Sequence, residues 1–429
     1  MDSNENFKKS KGSRRKFIET AVKTSVISTA VIKAPFVFSK ERPVLRVLGT
    51  HVTLQEDLRK KAMKDLGIKI VFEPMGSASV LQKASTNPKV FDLYEQWSDS
   101  INILWHAGTI QPIDIEKLKY WNEINDISKL GRINKNTKIG KGDSPNKILY
   151  VQKDGTLSAN KTNQVSYMPY VHNVDSFGYN TSVIPKGIPY ETESWGWLLD
   201  DKFKGKVATV NAPTIGLFDL ALAAQAKGLM TFKNIGNMTT KEIDKLFEIL
   251  IKKKESGHFA GFWTSVPQSV EFMVNKRVHI QSMFSPGVSG AKGQGIPVTY
   301  ASPKEGYRAW QGVMCLSSET KGKVKDAAYE YMNWWLSGEP GAFIARQGYY
   351  ISNPERSKKL MTADEWGYWY DGKPAKNNLK GTDGKISVAK GELRDGGSYV
   401  KRFSNIAVWN TVMENYDYSL GKWYEFLSS

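Results

Sequence analysis

Aromatic residues stand beside small polar residues at several points where a strand is predicted to end. These stretches are Tyr94-Glu95-Gln96-Trp97-Ser98, Phe262-Trp263-Thr264-Ser265, Met283-Phe284-Ser285-Pro286 and Ala309-Trp310-Gln311-Gly312. In open α/β sheets, ligands bind in the crevice at the carboxyl ends of the strands. Aromatic walls with a few polar groups are typical of a cleft for a small molecule. The pattern therefore predicts a binding cleft.

Residues for catalysis or for metal binding show no such pattern. The sequence contains neither an H-E-x-x-H metal motif, nor a G-x-S-x-G nucleophile elbow, nor a Walker loop. Its histidines are dispersed along the chain at His51, His106, His172, His258 and His279. We therefore expect no catalytic residue, no metal site and no cofactor.

Charge and cysteine content narrow the class of protein further. The single cysteine, Cys315, lies in an apolar run and predicts a buried, inert thiol. The formal net charge is +17, but ten Lys or Arg and four Asp or Glu fall within the first 42 residues. Beyond them the basic residues are scattered and form no stripe interleaved with aromatic residues, so nucleic-acid binding is not expected.

The N-terminal segment has the composition of an export leader. Ser13-Arg14-Arg15-Lys16-Phe17-Ile18 precedes an apolar stretch, and small residues follow before a predicted cleavage after Ser39. The charged residues Glu19 and Lys23 interrupt the apolar stretch, so it does not have the uninterrupted apolar run that a membrane span needs. The paired arginines resemble a twin-arginine signal. Residues 1–39 are therefore expected to be a signal peptide that is removed, and the twin-arginine export machinery to be a partner of the precursor.

The remaining chain predicts alternating strands and helices. Residues 43–48 read as a strand, a capping box of Thr53 with Glu56 predicts a helix, and residues 68–72 read as the next strand. A second capping box, Thr239 with Glu242, predicts another helix. This alternation indicates an α/β protein with a mainly parallel sheet. About 390 residues after the leader suit two lobes better than one core.

The order of several short stretches resembles the extracellular solute-binding proteins of bacterial ABC importers, in the group of spermidine/putrescine-binding proteins. The matching stretches are Phe91-Asp92-Leu93-Tyr94 with Gly108 to Asp114; Tyr167-Met168-Pro169-Tyr170 leading to Phe177-Gly178-Tyr179-Asn180; Ser194-Trp195-Gly196-Trp197-Leu198 with Phe203-Lys204-Gly205-Lys206-Val207; Phe262-Trp263-Thr264-Ser265 with Gln268; and Arg346 to Tyr350 with Asn353-Pro354. Each match is short, and their shared order covers nearly the whole chain after the leader.

This resemblance implies the two-lobed periplasmic-binding-protein fold of type II, with the ligand in the interlobe cleft and with crossing strands near Tyr170 to Tyr179 and Phe284 to Gly287 that join the lobes. We expect lobe 1 to comprise residues 44–172 and about 285–335, and lobe 2 residues 173–284 and about 336–429. The protein is then a periplasmic monomer that captures a small-molecule ligand and delivers it to an inner-membrane permease and ATPase complex. A hydrolase on the same scaffold is the alternative, because a fold alone does not exclude one.

The solute is where the chain departs from the polyamine-binding pattern. No acid occurs in Thr209 to Gly216 or in Phe284 to Gly287, where polyamine binders supply carboxylates for buried ammonium groups. A neutral, zwitterionic or anionic solute is therefore favoured over a polyamine, with Glu95 as the one acid available. A polyamine or a ferric ion stays an alternative. The predicted ligand-binding residues are Tyr94, Glu95, Trp97, Asn211, Thr214, Trp263, Ser265, Phe284, Ser285, Trp310, Gln311 and Tyr349.

Overall fold

The computed structural model describes residues 43–142 and 145–429 of the chain. The predicted leader and its paired arginines lie outside these residues. The strands are β1 (Val44–Thr50), β2 (Lys69–Met75), β3 (Leu93–Trp97), β4 (Ile110–Gln111), β5 (Ile113–Asp114), β6 (Tyr150–Val151), β7 (Leu157–Ser158), β8 (Gln164–Val165), β9 (Met168–Asn180), β10 (Val207–Val210), β11 (Phe259–Trp263), β12 (Ile280–Met283), β13 (Val298–Tyr300), β14 (Tyr307–Ser317), β15 (Tyr350–Ile351), β16 (Leu379–Lys380), β17 (Ile386–Val388) and β18 (Ile406–Trp409).

The α-helices alternate with these strands over much of the chain. They are α1 (Glu56–Leu66), α2 (Ser77–Thr86), α3 (Ile101–His106), α4 (Asp126–Leu130), α5 (Pro213–Ala226), α6 (Thr240–Glu255), α7 (Val266–Val274), α8 (Ser285–Gly293), α9 (Gly322–Leu336), α10 (Gly341–Arg346), α11 (Pro354–Lys358), α12 (Ala363–Trp369), α13 (Tyr399–Phe403) and α14 (Tyr416–Ser428). The predicted α/β class is therefore confirmed.

The main sheet runs in the order β11-β10-β12-β9-β14-β3-β1-β2. Strands β1, β2 and β3 are parallel at one end, and β10, β11 and β12 are parallel at the other. Between them β9 and β14 run antiparallel to each other and to their outer neighbours. Two parallel α/β halves are thus joined through two long central strands, as the two-lobed fold requires, and the sheet is more mixed than predicted.

Strand β9 belongs to both halves of the sheet. Its residues 168–175 pair with β14, and its residues 176–180 pair with β12 and β13. The predicted crossing strand between Tyr170 and Tyr179 is therefore confirmed. The stretch Phe284 to Gly287 is not a second crossing strand, because α8 begins there behind a proline at its first turn. The structure places β14 in that role instead.

Separate apolar cores underlie the two halves. One core collects buried residues from 45–171 and 310–351, and another collects residues from 177–301 and 408–426. Val288 and Val298 pack with Trp263 in a third cluster that belongs to β10, β11 and β12. These clusters describe packing, and the lobe boundaries expected from the sequence stay a prediction.

The two capping boxes predicted from the sequence have different outcomes. Thr239 and Glu242 form the predicted reciprocal bonds at the start of α6. Thr53 does not cap α1, which begins after Gln55 without a side-chain cap. The hydroxyl of Thr53 instead donates to Glu95 at 2.8 Å. A buried carboxylate competes for this hydroxyl, and it prevails over the exposed helix end.

Candidate functional site

A cleft opens where β3, β9 and β14 meet the start of α5 and α8. From the first core it is lined by Val52, Trp97, Trp310 and Tyr349. From the other half it is lined by Ile215 and Phe284. It leaves about 10 Å³ of room for the centre of a water-sized sphere, so its walls lie close together in this structure. Walls from both halves of the sheet therefore face one shared space.

The register of the central strands brings the polar groups of the cleft onto one face. Arg308 of β14 pairs with Asp175 of β9, and Gly312 of β14 pairs with Trp97 of β3. Directly paired residues share a face, and so do residues two apart on one strand. Trp310 therefore lies between Arg308 and Gly312 on the face that carries Trp97 and Asp175.

Three of the aromatic rings form a connected wall. The ring centroids of Trp97 and Trp310 are 4.9 Å apart with an interplanar angle of 68°. Those of Trp310 and Tyr349 are 5.2 Å apart at 88°. In edge-to-face pairs of this kind the edge of one ring packs against the face of the other. Gly312 lies beside this wall at a close approach of two strands, where an added Cβ would lie 2.9 Å from the carbonyl oxygen of Val171.

Arg308 lies at the centre of a buried polar cluster beneath these rings. Its Nε donates to Oδ1 of Asp219 at 2.6 Å, and its Nη1 donates to Oδ1 of Asn410 at 3.0 Å. Its Nη2 lies 3.8 Å from Oδ2 of Asp175. Since Asp219 is on α5 and Asp175 is on β9, this one guanidinium ties α5 to both crossing strands.

Asp175 also positions the aromatic wall. Its Oδ2 accepts from the indole nitrogen of Trp310 at 2.8 Å. Its Oδ1 accepts from the Tyr300 hydroxyl at 3.1 Å and from the Asn173 amide at 2.9 Å. A buried carboxylate needs such donors and an opposite charge, and Asp175 has both.

Burial shifts the pKa of each acid in this region upwards. Burial raises the pKa of Asp219 to about 6, against the opposing charge of Arg308. It raises the pKa of Asp175 as well, with Arg308 again opposing it. Asp99 has its pKa raised to about 6 by burial, although a hydrogen bond from Thr214 and the charge of Arg308 lower it. Burial therefore disfavours the charged form of all three acids, and the charge of Arg308 opposes this effect.

Several predicted residues do meet at this cleft. Trp97, Phe284, Trp310 and Tyr349 line it. Thr214 precedes the lining residue Ile215 and lies beside Asp99. Ser285 follows Phe284, and its hydroxyl accepts from Asn173 at 3.4 Å.

Other predicted residues lie elsewhere in the fold. Tyr94 is fully buried in the first core, and Gln311 points to the opposite face of β14, where its amide donates to the Val171 carbonyl. Asn211 accepts from the Trp423 indole at 3.0 Å. The exposed Ser265 caps α7.

Trp263 is part of the hydrophobic packing of the second half. It is 1% exposed, its indole donates to the Ser282 carbonyl at 3.1 Å, and its ring packs edge-on against Phe284. It supports a wall of the cleft from behind.

Glu95 is the predicted acid, and it is enclosed by the first half of the protein. Its Oε2 accepts from Thr53 at 2.8 Å and from Tyr170 at 3.3 Å, and its Oε1 accepts from Tyr331 at 3.1 Å. It is fully buried and does not line the cleft. Burial raises its pKa to about 7.

Replacing Glu95 with glutamine is expected to change stability and not solute affinity. A carboxyl whose folded pKa is raised stabilises the fold below its ordinary value of 4.5 and loses that contribution as pH rises to about 7. Relative to the parent, the free energy of unfolding of Glu95→Gln should therefore gain about 3 kcal/mol between pH 4.5 and 7.5. Urea unfolding at several pH values measures this. A tenfold loss of affinity would instead place Glu95 in contact with the solute.

The residues that the sequence did not predict are the charged ones on the crossing strands. Asp175 and Arg308 each lie within a strand whose other residues are buried. A charged residue inside a strand that is expected to be buried is a signal that a sequence can provide. Their pairing, and their approach to Asp219 and Asn410, depends on strand register and on chain segments far apart in sequence.

Residues 43–142 and 145–429 contain neither a metal-binding cluster nor a membrane-spanning helix. In this part of the chain no group of three or more His, Cys, Asp or Glu side chains could hold a metal ion. Nor does any helix there have the length and apolar character needed to cross a membrane. Tyr350, next to Tyr349, packs against His172 away from the cleft, so the two tyrosines do not form a pair.

Comparison with known proteins adds three findings. The family model described as bacterial extracellular solute-binding protein matches residues 57–383. The putrescine-binding periplasmic protein PotF of Escherichia coli is 23% identical over 339 residues, which are 76% of this chain and 81% of PotF.

Two solved structures are similar in fold. A putative spermidine/putrescine ABC transporter protein from Listeria monocytogenes has a TM-score of 0.63 at 15% identity, covering 90% of this chain and 98% of that one. The A. tumefaciens protein AgtB, in complex with agropinic acid, has a TM-score of 0.57 at 13% identity, covering 90% and 99%.

Proposed function

Because this chain belongs to the bacterial extracellular solute-binding protein family, we propose that it captures one small organic solute in the cleft between β9, β14 and the starts of α5 and α8. It is the substrate-binding component of an ABC transporter. The observation that carries the proposal is the cleft itself, whose lining residues come from both halves of the main sheet. A solute that touches both walls favours the closed state by its binding energy.

The solute does not follow from the relatives. PotF is named for putrescine, whereas AgtB was solved with agropinic acid, so related folds hold solutes of different charge. The preference for a neutral, zwitterionic or anionic solute rested on the lack of acids in Thr209 to Gly216 and in Phe284 to Gly287, with Glu95 as the one acid available. Glu95 is not among the residues that line the cleft, whereas Asp175 is. The charge of the solute therefore has to be argued from the cleft.

Binding without turnover is the second part of the proposal. The related proteins are solute-binding transport proteins. The cleft offers aromatic rings, one guanidinium and one carboxylate, which position and hold a solute. We propose delivery to a membrane permease with its ATPase, in the periplasm and as a monomer. The alternative of a hydrolase predicts conversion of the released solute, which mass spectrometry of an incubated sample would reveal.

Export is proposed from the leader alone. The paired arginines Arg14 and Arg15 support the twin-arginine route and cleavage after Ser39. Changing both to lysine should leave the precursor in the cytoplasm, and normal export of that variant would reject this route.

Closure on the solute is the test of the proposed function. Natively purified protein is stripped of its solute by unfolding and refolding, and the released solute is identified by mass spectrometry. Adding it back should lower the radius of gyration in small-angle scattering and change the fluorescence of Trp97 and Trp310, because both rings line the cleft. An unrelated sugar serves as the control. Unchanged scattering at saturating solute would contradict closure.

A further inference from the structure

Two donors in the cleft lack an acceptor. Nη2 of Arg308 and Nε1 of Trp97 have no hydrogen-bond partner among the described residues. Both side chains line the cleft, and they are 0% and 9% exposed. A buried donor without an acceptor is unfavourable until a ligand supplies one. A carboxylate on the solute would satisfy both donors, because a guanidinium matches its geometry.

The negative charge around the same two donors favours a positive group on the solute. Asp219 and Asp175 lie 2.6 Å and 3.8 Å from nitrogen atoms of Arg308. The neighbouring buried cation Arg402 donates to the carbonyls of Val174 and Asp395 and not to these acids. Two carboxylates therefore share one guanidinium. A purely anionic solute would add a third negative group to this cluster.

The aromatic wall supplies a place for that cation. The ring of Trp310 meets those of Trp97 and Tyr349 edge-to-face at 4.9 Å and 5.2 Å, and Asp175 lies behind Trp310 through its indole bond. A cationic nitrogen over such ring faces is attracted by their negative charge, the more so when water is excluded. A diamine would use this wall but would leave both unpartnered donors without an acceptor.

We infer that the solute is a zwitterion with one cationic nitrogen and one carboxylate, of the amino-acid or betaine type. Its carboxylate accepts from Nη2 of Arg308 and Nε1 of Trp97, and its nitrogen lies against Trp310 and Tyr349. Only a solute that carries both charges supplies an acceptor for the two donors and also a positive charge that balances the excess of carboxylates. This inference rests on the proposed function and specifies the solute class for the same cleft.

The experiment uses the stripped chain without its leader and a matched set of probes. The zwitterions are glycine betaine, the proteinogenic amino acids, β-alanine and γ-aminobutyrate. In tert-butylacetate carbon replaces the charged nitrogen of glycine betaine, in choline a hydroxymethyl group replaces its carboxylate, and putrescine carries two ammonium groups. Melting temperature and calorimetry should show binding by at least one zwitterion. Removing either charge from that zwitterion should weaken binding about tenfold or more.

The variant Trp97→Phe tests the carboxylate contact apart from the cation contact, because it keeps an aromatic ring and removes the indole N–H. It should lower the affinity for the zwitterion by a larger factor than the affinity for the matched cation. The inference is overturned if no zwitterion raises the melting temperature, or if tert-butylacetate or putrescine binds as tightly as the best zwitterion. Binding and closure with a solute of another class would overturn it and leave the proposed function standing. Neither binding nor closure with any solute would reject both.

Discussion

Replacing Arg308 with methionine is expected to lower the free energy of unfolding by about 3–5 kcal/mol at neutral pH. The guanidinium is fully buried, contacts Asp219 at 2.6 Å and lies 3.8 Å from Asp175. Without it, two buried carboxylates lose their shared counter-charge, and the cost of an unpaired buried charge exceeds what the pair contributed. Urea unfolding followed by circular dichroism measures the difference.

The pH dependence of that loss gives a second readout. Burial already raises the pKa of Asp219 to about 6 while Arg308 opposes the rise, so removing Arg308 should raise it further. A raised pKa means that the carboxyl stabilises the fold at low pH and that this contribution disappears as pH rises. The deficit of Arg308→Met should therefore be small near pH 4 and grow towards pH 7.

A surface arginine provides the matched control for this substitution. Arg356 forms a two-pronged bond with Glu123, in which both side chains are partly exposed. Arg356→Met should cost no more than about 1 kcal/mol, because water screens the pair. The double variant Arg308→Met with Asp219→Asn should recover part of the loss. If Arg308→Met lowered the free energy of unfolding no more than Arg356→Met, the ionic contacts of the buried cluster would not stabilise the fold.

Short sequence patterns predicted well those elements of the fold that depend on neighbouring residues. The first strand, the helix behind it and the capping box of Thr239 all depend on neighbours in the chain. Thr53 was wrongly predicted as a cap because its hydroxyl is taken by Glu95, which is 42 residues away. Competition from a distant partner is invisible to a short-range pattern.

The aromatic residues of the cleft were predictable for the same reason. Trp97 and Trp310 stand near strand ends or on a strand that borders the cleft, and alternation along the strand sets their face. Glu95 shares the face of Trp97, two residues away, yet Thr53, Tyr170 and Tyr331 cover it. Coverage of that kind comes from tertiary packing. So does the approach of Arg308 to the acids, which the sequence did not reveal.

Replacing Trp310 with alanine is expected to weaken solute binding about 100-fold or more. The ring packs edge-on against Trp97 and Tyr349, and its indole holds Asp175 at 2.8 Å. Its removal opens the aromatic wall and frees the carboxylate beside Arg308. Calorimetry with the solute released from the native protein measures the affinity. Trp310→Phe keeps a ring but loses the indole bond, so it should retain part of the affinity.

The contrast with Trp263 distinguishes a wall of the cleft from its support. Both tryptophans stand in similar sequence surroundings, and both are among the ligand-binding residues predicted from the sequence. Trp263 is 1% exposed among Val210, Met283 and neighbouring apolar side chains, and it does not line the cleft. Trp263→Ala should therefore lower the free energy of unfolding by about 3–5 kcal/mol, with any affinity loss following from unfolding.

Trp105, which donates to the Gly155 carbonyl, is the control tryptophan, and Trp105→Ala should leave the affinity unchanged. If Trp263→Ala stayed fully folded and lost binding while Trp310→Ala kept it, the solute would lie on the other side of Phe284, and the cleft assigned here would be wrong.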